Sequence, residues 1–271
     1  MKSWGATMSA TLETSNTASD RSFFKTCITA MAVVLVGGFV VQLLAGRSSF
    51  NAPLIVHAHA VLFMGWVAIT VSQVWLATNG AKNLHRTLGM LAVVWACALL
   101  ISGTLVSLNA VQTQRVPFFF QPQHFLLSDM AILIGFLILF GAAVALRHKP
   151  DWHARLQVSA FVMLMGPGLG RLLPMPFLPP YAFEIASLVP LIVPVIGIAR
   201  DKRVHGRLHP AWLTSIVLMT ALLVIVRVVA FSPIGDRIYA AATKGSMAEG
   251  TDGRAFPPPP GPLPQSGAKP A

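Results

Sequence analysis

The sequence predicts an all-α protein: a polytopic membrane helix bundle of about seven transmembrane helices, with one lone helix followed by three similar helical hairpins. Composition is the first reason, because 55% of the 271 residues are hydrophobic, 11% are charged and the mean hydropathy is +0.67. Water-soluble domains carry about a quarter charged residues. The other two reasons are a series of long apolar runs and the placement of the basic residues between them.

Seven apolar runs reach or approach the length of about 20 residues that a spanning helix needs. They cover residues 27–45, 53–77, 87–108, 125–146, 156–173, 182–199 and 211–231. The fifth run contains "MGPGLG" and the sixth contains two prolines, so each could instead be a re-entrant segment. The distribution of charge favours full spans for both, which makes residues 27–231 one transmembrane domain.

The basic residues gather in alternate loops. With the N-terminus in the cytoplasm, twelve Lys and Arg side chains fall on the inner side, and four fall on the outer side: Arg47, Arg115, Arg171 and Arg227. This positive-inside bias predicts a bacterial inner-membrane protein with a cytoplasmic N-terminus and an external C-terminus. Topology thus accounts for much of the net charge of +11, and we expect the lipid bilayer, not a nucleic acid, as the partner of the basic clusters.

The two ends of the chain differ from the apolar domain. Residues 1–26 form a polar, Ser/Thr-rich segment, predicted to be cytoplasmic, without the short basic start of a secretory signal. Residues 232–271 include "GTDGRAFPPPPGPLPQSGAKPA". Polar sequence rich in Pro and Gly buries little apolar surface, so we predict a disordered C-terminal tail over 232–271.

Three of the predicted cytoplasmic loops share a motif: "NLHRTLG" (83–89), "DWHARLQ" (151–157) and "RVHGRLHP" (203–210). In each, a His is followed within two residues by an Arg, then by a Leu and a new apolar run. This indicates one helical hairpin used three times in the same orientation. Basic residues at such positions commonly contact lipid phosphate. A metal or haem ligand role is the second interpretation for His85, His153, His205 and His209.

A second group of polar residues falls at the outer ends of the predicted helices. Its ionisable members are His57, His59, His124, Asp129, Arg171, Glu184 and Arg227. A charge at the bilayer centre costs about 2.5 kcal/mol or more, so we expect the two acids to pair with the two arginines. His59, Trp66 and Gln73 recur at seven-residue steps and therefore share one helix face. This favours His59 over His57 for a role inside the bundle.

At these residues the chain resembles a family of bacterial multi-pass membrane proteins. The family blocks are "HxHxxxFxxW…Q…LHRxLG", "W-H-x-R-L" and "G-R-x-H-P". The matching residues are His57, His59, Phe63, Trp66, Gln73, His85, Arg86, Gly89, Trp152, His153, Arg155, Leu156, Gly206, Arg207, His209 and Pro210. The likeness covers about residues 50–230. It implies an integral inner-membrane protein, and it implies no particular activity.

The first functional hypothesis is a redox or electron-transfer protein with a histidine-ligated cofactor. A b-type haem takes two axial imidazoles, which His59 and His124 would supply at the outer side or His85 and His153 at the inner side. Arg171 and Arg227 would then hold the haem propionates. The expected partner is a quinone or an electron-transfer protein.

A transition-metal site is a variant of the first hypothesis, because imidazole and carboxylate ligands suit such metals. Its ligands would be His57, His59, His124 and Asp129. The second hypothesis is a small-molecule or proton-coupled transporter, or an accessory protein without a cofactor. Repeated hairpins, a helix broken by Gly and Pro, and charged residues within the spans are typical of transporters. The sequence alone leaves both hypotheses open and assigns no catalytic residue.

Overall fold

The computed structural model describes residues 2–46 and 51–259, with side chains from Ser19 onward. Arg47 and residues 260–271 of the predicted tail lie outside the described residues. The described chain consists of helices joined by turns, so the all-α prediction is confirmed. The helices are α1 (Lys2–Leu44), α2 (Leu54–Thr78), α3 (Lys82–Gln112), α4 (Pro122–Ala145), α5 (Pro150–Met163), α6 (Gly166–Leu172), α7 (Ala182–Leu188), α8 (Ile192–His205), α9 (Pro210–Ala230) and α10 (Pro233–Thr243).

Within the described residues, six helical segments are long and apolar enough to cross a membrane. They are Ser19–Leu44, Leu54–Thr78, Lys82–Gln112, Pro122–Ala145, Ala182–His205 and Pro210–Ala230. The polytopic helical bundle is therefore confirmed. The first of these segments begins before residue 27, because α1 continues from the polar N-terminal residues into the apolar run without a break. The sixth predicted run is also long and apolar enough to cross a membrane, with a short 3₁₀ turn (Val189–Leu191) joining α7 to α8.

The predicted count of seven spanning helices needs one correction. The fifth run, 156–173, does not form one helix but is divided into α5 and α6. Pro167 lacks a backbone N–H, and its ring conflicts with the carbonyl of Met163 four residues earlier. The helix therefore ends at Met163 and resumes at Gly166. The two short helices still run beside α1, with Arg155 over the Phe24 ring and Arg171 over the Phe39 ring.

The α5–α6 pair runs beside much of the apolar part of α1. The two rings that it contacts, Phe24 and Phe39, are separated by about 22 Å along the α1 axis. Close backbone contact holds α6 against α1 at the end of the bundle that the sequence predicts to face outward. This end is called the outer end, and the opposite end is called the inner side. A Cβ atom on Gly168 would lie 2.7 Å from the Leu35 Cα, closer than real Cβ contacts allow. Gly168 is therefore required by the approach of the two helices.

A buried ion pair fastens the inner side of the bundle. Arg155 on α5 donates from Nε and Nη2 to the Asp201 carboxylate on α8, at 2.7 and 2.9 Å. Trp212 on α9 donates from Nε1 to the same carboxylate at 2.9 Å. Asp201 is 1% exposed and Arg155 is 2% exposed. Both charges are thus removed from solvent, and the pair joins three helices.

The C-terminal prediction is wrong for residues 232–259, which are ordered and packed on the bundle. Ser232 caps α10 by accepting a hydrogen bond from the Ile234 N–H. Tyr239 is buried, and its ring packs against Gly253, where an added Cβ would lie 2.8 Å from the ring. The Gln123 N–H donates to the Gly253 carbonyl at 2.9 Å. A few apolar contacts and backbone hydrogen bonds suffice to order residues 232–259, because these contacts are made to the helix bundle.

Candidate functional site

The inner histidines His85 and His153 lie side by side, although they come from different hairpins. Each is in the first turn of its helix, α3 for His85 and α5 for His153. Their ring centroids are 6.2 Å apart and their planes are at 89°. This is an edge-to-face contact between the two rings, and it brings them close enough to serve as ligands of one metal, which imidazole nitrogens bind at about 2.0–2.1 Å.

Both imidazoles are oriented by the same kind of hydrogen bond. Nδ1 of His85 lies 3.2 Å from the Gln73 carbonyl oxygen on α2, and Nδ1 of His153 lies 2.8 Å from the Ala143 carbonyl oxygen on α4. A carbonyl oxygen only accepts, so Nδ1 carries the proton and Nε2 keeps the lone pair. Metal-binding histidines are commonly held in this way by a backbone carbonyl.

This repeated bond is also the clearest sign of the hairpin repeat in the structure. In the first two hairpins, the His at the start of the second helix bonds to a carbonyl near the end of the first helix. The third hairpin differs, because Nε2 of its motif histidine, His205, lies 3.1 Å from the Asp20 carboxylate on α1. Nδ1 of His209 accepts from the Ala211 N–H and caps α9.

The outer pair predicted from sequence, His59 and His124, does not form. His59 on α2 is 3.1 Å from the Ser102 hydroxyl on α3. His124 on α4 is instead 3.7 Å from the Glu184 carboxylate and packs against the Phe183 and Phe231 rings. The two rings face different helices because α2 and α4 present them to different neighbours. The sequence showed that His59 and His124 lie at the same depth, but it could not show that their rings point toward different helices.

The predicted pairing of acids with arginines is half confirmed. Glu184 accepts a hydrogen bond from Arg227, which makes the expected ion pair between α7 and α9. Asp129 accepts from the Ser107 hydroxyl at 2.8 Å instead of pairing with Arg171. Arg171 donates to the Pro167 carbonyl at 2.7 Å and lies over the Phe39 ring. The two arginines are thus engaged at the outer end, away from the inner histidines, which corrects their predicted role as propionate ligands.

The four-residue metal site is not assembled either. His57 is half-buried in the first turn of α2, while His59, His124 and Asp129 have the separate partners described above. In residues 2–46 and 51–259 there is no cluster of three or more His, Cys, Asp or Glu side chains that could hold a metal ion. The inner pair therefore offers two ligands. Two is the number of protein ligands that a b-type haem takes.

The interior stripe on α2 is confirmed and leads from the outer end toward the inner pair. Trp66 is buried and packs edge-on against Phe136 and Phe140. The Trp66 Nε1 and the Gln73 Oε1 are both buried without a hydrogen-bond partner among the described residues. Buried polar groups are usually satisfied by protein or by ordered water. The Gln73 backbone carbonyl accepts a hydrogen bond from His85, so the stripe on α2 is in direct contact with the inner histidine pair.

A cavity of about 1650 Å³ occupies the outer end of the bundle. Polar side chains on its wall include His59, Ser107, Asp129 and Arg171. The remaining wall is mostly apolar and includes several phenylalanines, the broken α5–α6 junction and the ordered C-terminal segment. Sequence reasoning identified the polar members but missed Ser107 and the C-terminal wall, since neither carries a pattern that indicates a cavity.

The fold and the two sites define a polytopic helical protein with one paired-histidine site and one large outer cavity. Comparison with protein-family models, curated proteins and solved structures gave no match. The function must therefore be argued from the two sites themselves.

Proposed function

We propose that this protein is a bacterial inner-membrane redox or electron-transfer protein that holds one b-type haem between His85 and His153. The observation that carries the proposal is the geometry of the inner pair. Two perpendicular imidazoles at 6.2 Å each have Nδ1 against a backbone carbonyl, which leaves both Nε2 atoms for a metal. The charge distribution supports a cytoplasmic N-terminus and an external C-terminus, which places the pair near the cytoplasmic side.

The residues around the pair have distinct roles in this proposal. The Gln73 and Ala143 carbonyls orient the two rings. Arg86 follows His85 along the chain and Lys149 precedes His153 by four residues, and both are exposed. A bound haem would supply one-electron chemistry, and His85 and His153 would be the residues that hold it.

The test is a visible spectrum of the protein purified in mild detergent from haem-replete cells. We expect a Soret band that sharpens on reduction with dithionite, with about one haem per chain. His85→Ala and His153→Ala should each lose the band because each removes an axial ligand. His148→Ala is the matched control, since His148 is an exposed histidine in the neighbouring loop, and it should keep the band. His59→Ala should also keep it.

Two results would overturn this proposal. One is a colourless wild-type protein from haem-replete cells. The other is an unchanged spectrum in both ligand variants when size-exclusion profiles show that they are folded. Loss of the band in His59→Ala alone would move the cofactor to the outer cavity.

The second candidate function is transport of a small molecule or of protons, which one observation favours. The outer cavity contains an acidic residue, Asp129, and is lined by the broken α5–α6 junction. Transporters commonly bind substrates where a helix is interrupted. For this function, Asp129→Asn should change the pH dependence of flux into liposomes, while His85→Ala should leave it unchanged. Absence of any flux above that of empty liposomes would reject it.

A further inference from the structure

The outer cavity combines a large volume and a mostly apolar wall with a set of polar side chains that includes His59, Ser107 and Asp129. We propose that it binds a quinone-class molecule, meaning a ring with two opposing oxygen atoms and an apolar tail. The physiological meaning of this ligand rests on the proposed redox function, because a quinone exchanges electrons. Its binding, however, requires only the cavity and makes no use of the inner histidines.

The polar wall offers hydrogen-bonding groups at two levels along α3. Asp129 is bonded through Oδ2 to Ser107, and His59 is bonded through Nδ1 to Ser102. Ser102 and Ser107 are five residues apart on α3, which separates them by about 7.5 Å along the helix axis. A ring with oxygens at opposite edges can meet both levels at once. The Asp129 carboxylate accepts from a quinol hydroxyl, and the His59 imidazole exchanges a hydrogen bond with the other oxygen.

The orientation of these groups supports a ligand site rather than a sealed polar core. Asp129 and His59 are each half-buried, and both line the cavity. Their serine partners Ser102 and Ser107 are buried. Ser102 therefore fixes the imidazole from α3, behind the wall, while Ser107 fixes the carboxylate from its own place on the wall.

The apolar part of the wall indicates what the rest of the ligand must be. Phe63, Phe125 and Phe183 line the cavity near the polar groups and provide flat surfaces for a ring. Typical small-molecule pockets measure about 300–1,000 Å³, so 1650 Å³ leaves room for a tail as well as a ring. An inorganic ion or a sugar would leave most of this surface without a suitable partner.

The edge of the cavity provides a route from the bilayer. Val41 on α1, Leu172 on α6 and Phe177 in the following turn line the cavity and also have exposed side chains. Phe177 is 86% exposed, which for a large aromatic residue at the outer end of the bundle indicates contact with lipid. A ligand with an apolar tail can therefore reach the cavity from the bilayer at this edge, beyond the close contact of α1 with α6.

A fatty acid is the competing ligand with an apolar tail. Its carboxylate would share the polar wall with the Asp129 carboxylate, and like charges at this distance repel in an apolar site. Of the two arginines on the wall, Arg171 is already bonded to the Pro167 carbonyl and lies over Phe39, and Arg115 is exposed beyond the end of α3. The charges on the wall thus favour a neutral ring with hydroxyl or carbonyl groups.

The test is equilibrium binding of decylubiquinone and its quinol to the purified full-length protein in detergent, followed by quenching of tryptophan fluorescence. We expect saturable binding at one molecule per chain. Asp129→Ala should weaken quinol binding by about ten- to a hundredfold, because it removes a hydrogen bond to a charged group. Asp129→Asn, which keeps the side-chain shape, should weaken it in the same direction. Glu249→Gln is the control, as this exposed acid lies outside the cavity, and it should have no effect.

The outcomes separate this proposal from the haem proposal. Quinol binding that is unchanged in His85→Ala supports a site independent of the haem, whatever the spectrum of that variant shows. Binding of palmitate with greater affinity than decylubiquinone would overturn the assignment in favour of a fatty-acid site. Non-saturable partitioning, or equal affinity in the wild type and both Asp129 variants, would overturn it as well.

Discussion

The ion pair between Arg155 and Asp201 provides the sharpest test of how the inner side of the bundle is held together. Asp201→Asn keeps the size of the side chain and removes its charge. The guanidinium of Arg155, bonded at 2.7 and 2.9 Å in the wild type, then remains buried without a carboxylate. Trp212 can still donate to the amide oxygen, so the substitution isolates the loss of charge.

The expected cost follows from the burial of both partners. Removing one member of a buried ion pair typically costs about 3–5 kcal/mol, because the other charge is left uncompensated. At about 2–4 °C per kcal/mol for a chain of this size, the midpoint of thermal unfolding should fall by roughly 10 °C. The double variant with Arg155→Met should recover part of this loss, because the uncompensated charge is then gone.

The assay is thermal unfolding in detergent, monitored by circular dichroism, with Glu249→Gln as the control. That variant also replaces one carboxylate by an amide, but at an exposed position, so its midpoint should not change measurably. Equal shifts in the two variants would refute the argument from burial. So would a double variant that is less stable than Asp201→Asn.

Three further predictions concern helix contact, pH and the C-terminal segment. Gly168→Ala should destabilise the protein by about 1–3 kcal/mol, because the new methyl group meets Leu35 at 2.7 Å. The control variant Gly141→Ala should be neutral or stabilising, because the space around Gly141 is open. Burial lowers the pKa of His209, so stability should decline as pH falls below about 6.5, where the unfolded chain binds the proton more readily. His209→Asn, a cap that does not titrate, should remove that part of the decline. Trypsin should cut residues 232–259 slowly in the wild type and faster in Tyr239→Ala, because Tyr239 anchors α10.

Each of these predictions has a result that contradicts it. Equal unfolding midpoints for the two glycine variants would show that α1 and α6 do not approach as closely as the structure places them. For His209, an unaltered pH profile in the Asn variant would assign the decline to other groups. Immediate cleavage of the wild type after residue 231 would restore the prediction of a disordered tail over that range.

The sequence by itself determined the class of the fold, because the length and apolarity of a helix are local properties. Among the described residues, six of the seven predicted runs are long and apolar enough to cross a membrane, and the break at Pro167 lies in one of the two runs for which the sequence left a re-entrant segment as the alternative. The Glu184–Arg227 pair was also predicted, since two opposite charges at one apolar level have few alternatives.

Only the tertiary structure decided which side chains meet. The sequence offered two histidine pairs, and the packing of the hairpins brought His85 against His153 while directing His59 to α3 and His124 to α7. Asp201 lay beyond the predicted end of its span, and its role appeared once α8 was seen to continue to His205. Depth along a helix can be counted from the sequence, but the direction of each side chain depends on how the helices rotate and pack against one another.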